Sequence, residues 1–445
     1  MPELDEEPEH TVVERSMMRC IVVVPVPHER RGAPASVRRP DDRKAEAVGL
    51  AHAIDLDIAE ALLVPLNEMR PATLIGKGKV EELKGLLEST GAGLVVIDHP
   101  LSPIQQRNLE KLWDAKVIDR TGLILEIFGR RAQTREGRLQ VELAHLTYQK
   151  SRLVRSWTHL ERQRGGAGFL GGPGESQLEL DRRMIQDRIE RLQKDLADVV
   201  RTRDLHRKGR ARVPYPVVAI VGYTNAGKST LFNRMTGAGV LAMDQVFATL
   251  DPTMREIRLP SGRRVILSDT VGFISDLPTM LVAAFRATLE EVVSADLVMH
   301  VRDISSPETA AQRADVEGVL TGLGIEPETS SKRVLEVWNK VDRLDPDSRE
   351  EVTHGARRLD PEPVLVSAIT GEGVDALLAT LEARLGKTDE IMDVTLPPSA
   401  GKLAHWLHEN VEVLTREMAE NGETHYRVRV DSARKARLEA QLRQI

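Results

Sequence analysis

The sequence predicts a multidomain α/β protein with a mainly parallel sheet at its centre. Apolar runs of strand length alternate with helical patterns across residues 213–388, and parallel strands require such crossover helices. One of these runs, at 217–221, leads directly into a glycine-rich loop and then a helical pattern, which is the order of a phosphate-binding P-loop. The runs at 255–259 and 264–268 flank a Ser-Gly turn, which predicts a hairpin and therefore one antiparallel strand.

The glycine-rich loop supplies the phosphate-binding groups of the predicted site. It consists of Gly222, Tyr223, Thr224, Asn225, Ala226, Gly227, Lys228 and Ser229, and Thr230 continues into the helix. Backbone N–H groups of such a loop and of the helix N-terminus bind phosphate oxygens. We expect Lys228 to reach the β- and γ-phosphates and the Ser229 hydroxyl to be a ligand of Mg²⁺.

A second element follows the apolar run at 264–268, and it consists of Asp269, Thr270, Val271 and Gly272. The aspartate therefore lies at the carboxyl end of a predicted strand, where an open α/β sheet binds its ligands. We expect Asp269 to hold Mg²⁺ through a water molecule and the Gly272 N–H to contact the γ-phosphate. A plain turn that begins with an aspartate is the alternative interpretation.

Two further elements carry the chemistry that selects the base. They are Asn339, Lys340, Val341 and Asp342 after one strand pattern, and Ser367, Ala368 and Ile369 after the next. The Asp342 carboxylate can accept hydrogen bonds from guanine N1–H and N2–H₂, whereas adenine would leave it unpaired at a cost of about 1–3 kcal/mol. The Lys340 stem can cover the base face, and a backbone N–H of the second element can reach guanine O6. Together these residues predict a guanine nucleotide.

A switch segment is predicted between the first two elements, and it consists of Phe247, Ala248, Thr249, Leu250 and Asp251. A switch I loop needs a threonine whose hydroxyl reaches Mg²⁺ and whose N–H reaches the γ-phosphate. Thr249 suits this role better than Thr253 because it lies farther from the following strand, and a simple turn residue is the alternative. The predicted catalytic group is Lys228, Thr249, Asp269 and Gly272, with Ser229 and Thr249 as metal ligands. Together the elements resemble a translation-factor-related GTPase domain.

Phe273 stands where many GTPases carry the glutamine that orients the attacking water. An aromatic ring cannot hydrogen-bond a water in that way. Either another group orders the water, or hydrolysis is slow until a partner completes the site. In GTPases with an asparagine at the position of Asn225, a potassium ion can bridge the phosphates and supply positive charge. The alternative is that Asn225 only stabilises the loop backbone.

Composition limits the class of protein. At 445 residues the chain is long enough for two to four domains, and 41% hydrophobic residues can fill their cores. The single cysteine, Cys20, excludes internal disulfides and a cysteine metal cluster, and the apolar run at 20–24 predicts that it is a core residue. No apolar run approaches the ~18 residues of a membrane span, and the acidic start has no signal-peptide core, so we expect a cytoplasmic protein.

The chain has a net charge of −6 but contains two basic segments. Residues 128–164 hold nine Lys or Arg against three acidic residues, and residues 201–212 hold six against one. Local basic patches on an acidic protein indicate contact with nucleic acid, and solvated helix faces are the alternative.

Two apolar seams of helical period predict a long antiparallel helical hairpin. One consists of Leu139, Leu143, Leu146, Leu153, Trp157 and Leu160, and the other of Leu178, Ile185, Ile189, Leu192, Leu196 and Val199. Six glycines among residues 165–174 at the tip would let another backbone approach closely. A basic arm with an aromatic tip suits unpaired RNA, and a plain linker is the alternative. The candidate RNA contacts are Arg152, Arg155, Arg162, Arg164, Gly165, Gly166 and Phe169.

The two ends of the chain predict smaller units. The first has strands at 19–24, 94–97 and 116–118 and helices at 43–50 and 80–88. The last has a strand at 392–396, a helix at 401–418, a strand at 424–430 and a helix at 432–444. The predicted domains are an acidic tail at 1–16, an N-terminal α/β domain at 17–130, the helical hairpin at 131–212, the nucleotide domain at 213–388 and a small α+β domain at 389–445.

Several of these motifs resemble those of the HflX GTPase family. They lie at 222–230, 247–253, 269–274, 76–79 and 172–175, and the resemblance covers about residues 20–445 and includes the domain order. It implies a P-loop GTPase that binds the large ribosomal subunit, with a hairpin loop that reaches toward the peptidyl-transferase region. It also implies that the protein splits or rescues stalled or hibernating ribosomes, is stimulated by the ribosome and leaves after hydrolysis. Arg162, Arg164 and the 165–174 loop would then contact rRNA.

We therefore expect a monomer whose partners are GTP or GDP, Mg²⁺ and the large ribosomal subunit with its rRNA, and not DNA. Activation by K⁺ stays an open alternative. A regulatory switch that binds proteins, with the hairpin as its docking arm, is the second hypothesis, and binding to purified ribosomal subunits separates it from the first. An RNA-remodelling ATPase is the third, and the guanine chemistry of Asn339 and Asp342 argues against it.

Overall fold

The computed structural model describes residues 18–27, 38–161, 173–210, 215–237, 247, 253–275, 286–325, 333–386, 389–419 and 421–443. The chain divides into two compact units, Met1–Ile124 and Leu125–Ile445. Among the helices within the described ranges, none is both long and apolar enough to cross a membrane.

The first unit is an α/β layer built on a parallel sheet. Its elements are β1 (Arg19–Pro27), α1 (Pro40–His52), β2 (Asp57–Leu66), α2 (Lys77–Thr90), β3 (Leu94–Ile97), α3 (Pro103–Trp113) and β4 (Lys116–Asp119). The strand order is β2-β1-β3-β4, and each neighbouring pair is parallel. Cys20 is fully buried in β1, as its apolar surroundings predict, and burial raises the pKa of its thiol to about 11.

Sequence patterns did not predict β2 and α3 in this unit. The β2 segment contains Ala, Glu and Leu, which favour helices as isolated residues, and only its pairing along β1 makes it a strand. A signal for α3 does exist in the sequence. Ser102 caps the helix just ahead of Pro103, and Gln105 in the first helical turn completes a capping box with it.

Three helices follow β4 in the chain and precede the strands of the second sheet. They are α4 (Arg120–Arg131), α5 (Arg135–Glu161) and α6 (Pro173–Arg210), and the division between the two units falls inside α4. Arg188 of α6 pairs with Glu142 of α5 at 2.7 Å. Lys150, farther along α5, donates to Gln186, which is earlier in α6. The two helices therefore lie side by side and antiparallel where they are described.

The central sheet belongs to the second unit. Its elements are β5 (Val217–Gly222), α7 (Lys228–Thr236), β6 (Thr253–Arg258), β7 (Arg264–Asp269), α8 (Arg286–Ser294), β8 (Leu297–Asp303), α9 (Thr309–Gly322), β9 (Val334–Asn339), α10 (Pro346–Ala356), β10 (Val364–Leu365) and α11 (Val374–Leu385). The strand order is β10-β9-β8-β5-β7-β6. Only β6 runs antiparallel, as the Ser-Gly hairpin predicts, and the other five strands are parallel.

The C-terminal region corrects one prediction. Its elements are β11 (Asp389–Leu396), α12 (Gly401–Asn410), β12 (Glu412–Met418), β13 (Thr424–Asp431) and α13 (Ser432–Leu442). The predicted helix at 401–418 is wrong beyond Asn410, because residues 412–418 form a strand that pairs antiparallel with β13. The apolar spacing continues at helical period through Leu414 and Met418, which explains the error. However, Met418 is 72% exposed, so the period does not mark a buried helix face there.

Candidate nucleotide site

The candidate site lies at one edge of the central sheet. Since β5, β7, β8 and β9 are parallel neighbours, their last residues meet at this edge. Those residues are Gly222, Asp269, Asp303 and Asn339. Three of the four motifs found in the sequence therefore begin at the same place, and the loop after the short strand β10 adds residues 367–369 beside them.

The P-loop closes tightly between β5 and α7. Gly227 has a left-handed φ of +91°, and a Cβ atom there would lie 2.2 Å from Asn339 Nδ2. Only glycine can therefore occupy this position without moving the asparagine. Asn225 is exposed and also left-handed, with φ +59°, a conformation that asparagine tolerates better than most residues. This geometry is compatible with a purely backbone role for Asn225.

Lys228 is buried at the start of α7. Its Nζ donates to the Tyr223 carbonyl at 2.7 Å, so the side chain folds back over the P-loop. The pKa of Lys228 is lowered to about 8, mainly by burial; the nearby Asp269 carboxylate opposes this decrease and Lys340 adds to it. The ammonium is thus held where it is poorly solvated, and an anion at the loop would favour its charged form.

Ser229 and Asp269 are joined across the mouth of the P-loop. The Ser229 hydroxyl donates to Asp269 Oδ2 at 2.8 Å, and Asp269 is fully buried. Both side chains offer only oxygen atoms, which are the ligands that Mg²⁺ prefers, so the donor set fits this ion. Within the described ranges, no group of three or more His, Cys, Asp or Glu side chains could hold a metal. Thr249, the other predicted ligand, lies outside the described residues.

The residues after β7 pair with the P-loop. Phe273 N–H donates to the Gly222 carbonyl at 3.1 Å, and Thr224 N–H donates to the Phe273 carbonyl at 2.7 Å. The Thr270 hydroxyl donates to the Ile220 carbonyl at 2.5 Å, and Val271 is buried. The Phe273 ring is 1% exposed, so it packs into the protein instead of facing solvent at the position of the absent glutamine.

Gly272 is in close contact with the P-loop. A Cβ atom on Gly272 would lie 2.9 Å from Thr224 Cγ2 and 3.0 Å from Lys228 Nζ. The backbone of Gly272 therefore lies directly beside the lysine that is expected to bind the γ-phosphate. Any larger residue would push the lysine or the loop away.

Asn339 connects the base-side and phosphate-side loops. Its Nδ2 donates to the Ala226 carbonyl at 2.8 Å, and its Oδ1 accepts from the Ala368 N–H at 3.0 Å. The Ala368 N–H is thus engaged by Asn339 and does not point freely toward a base. The sequence predicts that a backbone N–H of residues 367–369 reaches guanine O6. The N–H of Ala368 is already bonded to Asn339 in this structure.

Lys340 and Asp342 follow Asn339 in a tight turn. Lys340 has a left-handed φ of +66° and its Nζ pairs with Asp303 Oδ2 at 2.8 Å, while Ser305 also donates to Asp303. Val341 is buried, and its N–H donates to the Val366 carbonyl at 3.3 Å. Asp342 lies in the single turn Val341–Arg343, where it is exposed.

Arg234 holds the loop after β10 and was not predicted from the sequence. Its Nε donates to the Ala368 carbonyl at 3.2 Å, and its guanidinium also donates to the Ile369 carbonyl. A Cβ atom on Gly371 would lie 3.5 Å from the Arg234 guanidinium carbon. No local pattern signals this role, because α7 and this loop are far apart in the sequence. Asp303 was also missed, although its position at the end of β8 is a usable signal.

Several predicted residues are not brought to this site by the described structure. Phe247 is buried, and its ring packs edge-on against Phe128 at a centroid distance of 4.5 Å. Ala248, Thr249, Leu250 and Asp251 lie outside the described residues. Thr253, the weaker candidate for switch I, starts β6 opposite Asp269.

The candidate RNA contacts are described only in part. Arg152 stacks on the Tyr148 ring at 4.1 Å from its centroid. The backbone of Arg155 is helical within α5, and its side chain is outside the described atoms. Arg162, Arg164, Gly165, Gly166 and Phe169 also lie outside the described residues.

Four family models match successive parts of the chain. They are described as GTP-binding GTPase N-terminal at residues 41–129, GTP-binding GTPase Middle Region at 131–210, 50S ribosome-binding GTPase at 217–340 and HflX C-terminal domain at 356–445. A GTP-binding protein from Sulfolobus solfataricus, solved with GDP, is similar at 22% identity and a TM-score of 0.44, over 83% of this chain and 98% of that one.

Full-length relatives are considerably closer in sequence. The GTPase HflX of Magnetococcus marinus is 54% identical over 369 residues, which is 83% of this chain and 84% of that protein. The GTPase HflX of Escherichia coli is 45% identical over 360 residues, covering 81% and 83% respectively. At such identity over most of both chains, the resemblance extends well beyond the nucleotide motifs. The chain belongs to the HflX family of GTPases.

Proposed function

We propose that this GTPase binds the large ribosomal subunit, hydrolyses GTP to GDP and phosphate there, and splits or rescues stalled or hibernating ribosomes. The observation that carries the nucleotide part is the Asn339 side chain, which joins the base-side loops to the P-loop through Ala226 and Ala368. The ribosomal part is supported by the match of residues 217–340 to the 50S ribosome-binding GTPase model and by the basic helical arm.

In the proposed mechanism the phosphates are bound by Lys228 and Gly272, which already lie side by side at the P-loop. Lys228 turns from the Tyr223 carbonyl to the β- and γ-phosphates, where its ammonium stabilises the negative charge of the leaving and transferred groups. The Gly272 N–H, beside Lys228, donates to the γ-phosphate. Water attacks the γ-phosphorus in line, the bond to the β–γ bridging oxygen breaks, and GDP leaves with that oxygen.

Ser229, Asp269 and Thr249 are the residues that would hold Mg²⁺. When bound, the ion supplies positive charge to the phosphate oxygens. Asp269 keeps the Ser229 hydroxyl oriented by accepting its hydrogen bond, with 2.8 Å between the two oxygen atoms, which leaves the lone pairs of Ser229 for the metal. The Asp342 carboxylate accepts from guanine N1–H and N2–H₂, and the Lys340 stem covers the base.

The proposed dependence on the ribosome follows from Phe273. Its buried ring offers no hydrogen bond to an attacking water. In this proposal, rRNA or a ribosomal protein supplies the group that orients the water, and another group of the chain itself is the alternative. A potassium ion bound beside Asn225 is a further proposed source of positive charge.

The hairpin is the proposed contact with rRNA. Arg152, Arg155, Arg162, Arg164, Gly165, Gly166 and Phe169 are its candidate contacts. The proposed working place is the cytoplasm, with the protein acting as a monomer. The proposed rRNA contacts are supported by the basic charge of residues 128–164 and by family membership.

GTP hydrolysis with and without purified large ribosomal subunits, in potassium and in sodium, tests the proposal. We expect strong stimulation by the subunits, and less of it when residues 165–174 are deleted, while intrinsic hydrolysis stays intact. Faster hydrolysis in potassium than in sodium would support the role of Asn225. Absence of stimulation in either salt would contradict the ribosomal proposal and favour a switch that binds proteins.

A further inference from the structure

We infer that Tyr223 is a positioning residue whose phenol hydroxyl holds the start of switch II and so sets how well the site distinguishes GTP from GDP. This inference rests on the proposed nucleotide site and deepens it. Here the start of switch II means residues 272–275. The P-loop pattern accounts for the backbone of Tyr223 but not for its side chain.

The side chain of Tyr223 reaches across to a segment 52 positions later in the chain. The Ser275 N–H donates to the Tyr223 hydroxyl oxygen at 2.9 Å. The Tyr223 residue is 4% exposed, so this contact is sheltered from solvent. A buried hydroxyl of this kind holds its partner more firmly than an exposed one, because water competes less for the donor.

Two backbone hydrogen bonds lie next to this contact. Phe273 N–H donates to the Gly222 carbonyl, and Thr224 N–H donates to the Phe273 carbonyl. With the tyrosine bond, residues 273 and 275 are therefore both held on residues 222–224. Among these three bonds, the one from Ser275 is formed by a side chain of the P-loop, so a substitution can remove it alone.

Gly272 is the residue that this arrangement fixes. On its N-terminal side, Asp269 ends β7 and Thr270 is bonded to Ile220 of β5. On its C-terminal side, the bonds of Phe273 and Ser275 hold the chain on the P-loop. The Gly272 backbone is thereby packed against Thr224 and beside Lys228 Nζ. In the proposed mechanism its N–H meets the γ-phosphate, a group that GTP has and GDP lacks.

Prior ordering of Gly272 favours GTP and not GDP. If the segment is already in place, GTP does not have to order it, and the conformational entropy lost on binding is smaller. GDP makes no contact there, so its affinity should not depend on the tyrosine hydroxyl. The Tyr223 hydroxyl thus acts on the choice between the two nucleotides through Gly272.

Tyr223→Phe tests this inference, since it removes one oxygen atom and keeps the buried ring. Affinities for a fluorescent GDP and for a non-hydrolysable fluorescent GTP analogue should be compared with those of the unchanged protein. We expect GDP affinity within twofold, GTP-analogue affinity about fivefold weaker and kcat/KM for GTP lower, as the loss of one hydrogen bond implies. Ser275→Ala is the matched control. It keeps the backbone N–H that donates to Tyr223, so both affinities should stay unchanged.

Three results for Tyr223→Phe would overturn the inference. They are an equal loss of affinity for GDP and for the GTP analogue, an unchanged affinity for the GTP analogue, and a tighter binding of that analogue. An equal loss would mean that the hydroxyl supports the P-loop as a whole. Failure of the proposed site is distinguishable, because then Lys228→Ala would leave GDP affinity intact in an otherwise unchanged protein. Unchanged GDP affinity in Tyr223→Phe also shows that the variant is folded.

Discussion

The side-chain amide of Asn339 donates to the carbonyl oxygen of Ala226 at 2.8 Å, although the two residues are 113 positions apart in the chain. The same side chain accepts from the Ala368 N–H at 3.0 Å. Asn339 is 1% exposed, so neither bond competes with bulk water. One side chain thus fixes the P-loop, the end of β9 and the loop after β10 relative to each other before any nucleotide arrives.

Replacing Asn339 by alanine should weaken GDP and GTP binding to the same degree. Each lost bond leaves a buried backbone group without its partner, at a cost of about 1–3 kcal/mol, so we expect at least about a tenfold loss of affinity for both nucleotides. Equilibrium titration with fluorescent GDP and a GTP analogue measures this. Asn421→Ala, in an exposed turn of the C-terminal region, is the matched control and should bind normally. A loss confined to one nucleotide would contradict this reading of Asn339.

Replacing Asp342 by asparagine should move base preference from guanine toward xanthine. The Asn amide can donate to the second carbonyl of xanthine, whereas it opposes the N2 amine of guanine. Competition of GTP and XTP for the same site measures the change. Asp347→Asn, another exposed aspartate one turn later, is the control and should keep guanine preference. Retained GTP selectivity in Asp342→Asn would exclude this carboxylate as the base-reading group.

The central sheet and the edge that carries the site were predictable from local patterns. Each of Asp269 and Asn339 directly follows an apolar run, and parallel strands bring such ends together whatever the intervening chain does. The wrong helix prediction in the C-terminal region came from a misleading local pattern. Residues 412–418 continue a helical spacing, and only the antiparallel partner β13 makes them a strand.

The contacts that organise the site were not predictable in the same way. Arg234 to Ala368 and Tyr223 to Ser275 join positions 134 and 52 residues apart, and nothing in the residues around each partner indicates the other. Such contacts depend on which elements the sheet makes neighbours. Asn339 was predicted as a site residue from its motif, but its bonds to Ala226 and Ala368 were not.

Lys228 should make nucleotide affinity depend on pH above neutrality. Burial lowers its pKa to about 8 in the free protein, and phosphate oxygens favour the charged form and raise the pKa on binding. Binding therefore takes up a proton once the pH exceeds about 8, and affinity falls as the pH rises further, by at most about tenfold per pH unit. Between pH 7 and pH 8 the loss should be only about twofold, because the lysine of the free protein goes from largely charged to about half charged over this range.

Titrations with GDP between pH 7 and about pH 9 measure this dependence. Calorimetry in buffers of different ionisation enthalpy measures the proton uptake directly. Lys228→Arg is the control, since a guanidinium stays charged over the whole range and its weaker binding should be flat with pH. A GDP affinity of the unchanged protein that does not fall toward pH 9 would mean that Lys228 is already charged in the free site.

Arg234 should contribute to the affinity for both GTP and GDP and to the preference for guanine over adenine nucleotides. Its guanidinium holds the carbonyls of Ala368 and Ile369, and it packs under Gly371, so the loop that faces the base cannot move independently of α7. Arg234→Gln should weaken GTP and GDP equally, by about five- to tenfold, since charge-assisted bonds to carbonyls are lost. The selectivity for GTP over ATP should fall as well, because that loop supplies the proposed contact with guanine O6, and kcat should not change.

Arg349→Gln provides the matched control for Arg234. Arg349 pairs with Glu372 next to the same loop, but the pair is exposed, and such surface pairs contribute little. If both variants lose affinity alike, general loosening of the loop explains the effect and not the carbonyl contacts. If Arg234→Gln instead separates GTP from GDP, Arg234 would act on the phosphate side of the site. Arg234→Gln would then weaken the binding of GTP more than that of GDP, as expected for Tyr223→Phe. Arg234 could no longer be assigned to the base side of the site and Tyr223 alone to the phosphate side.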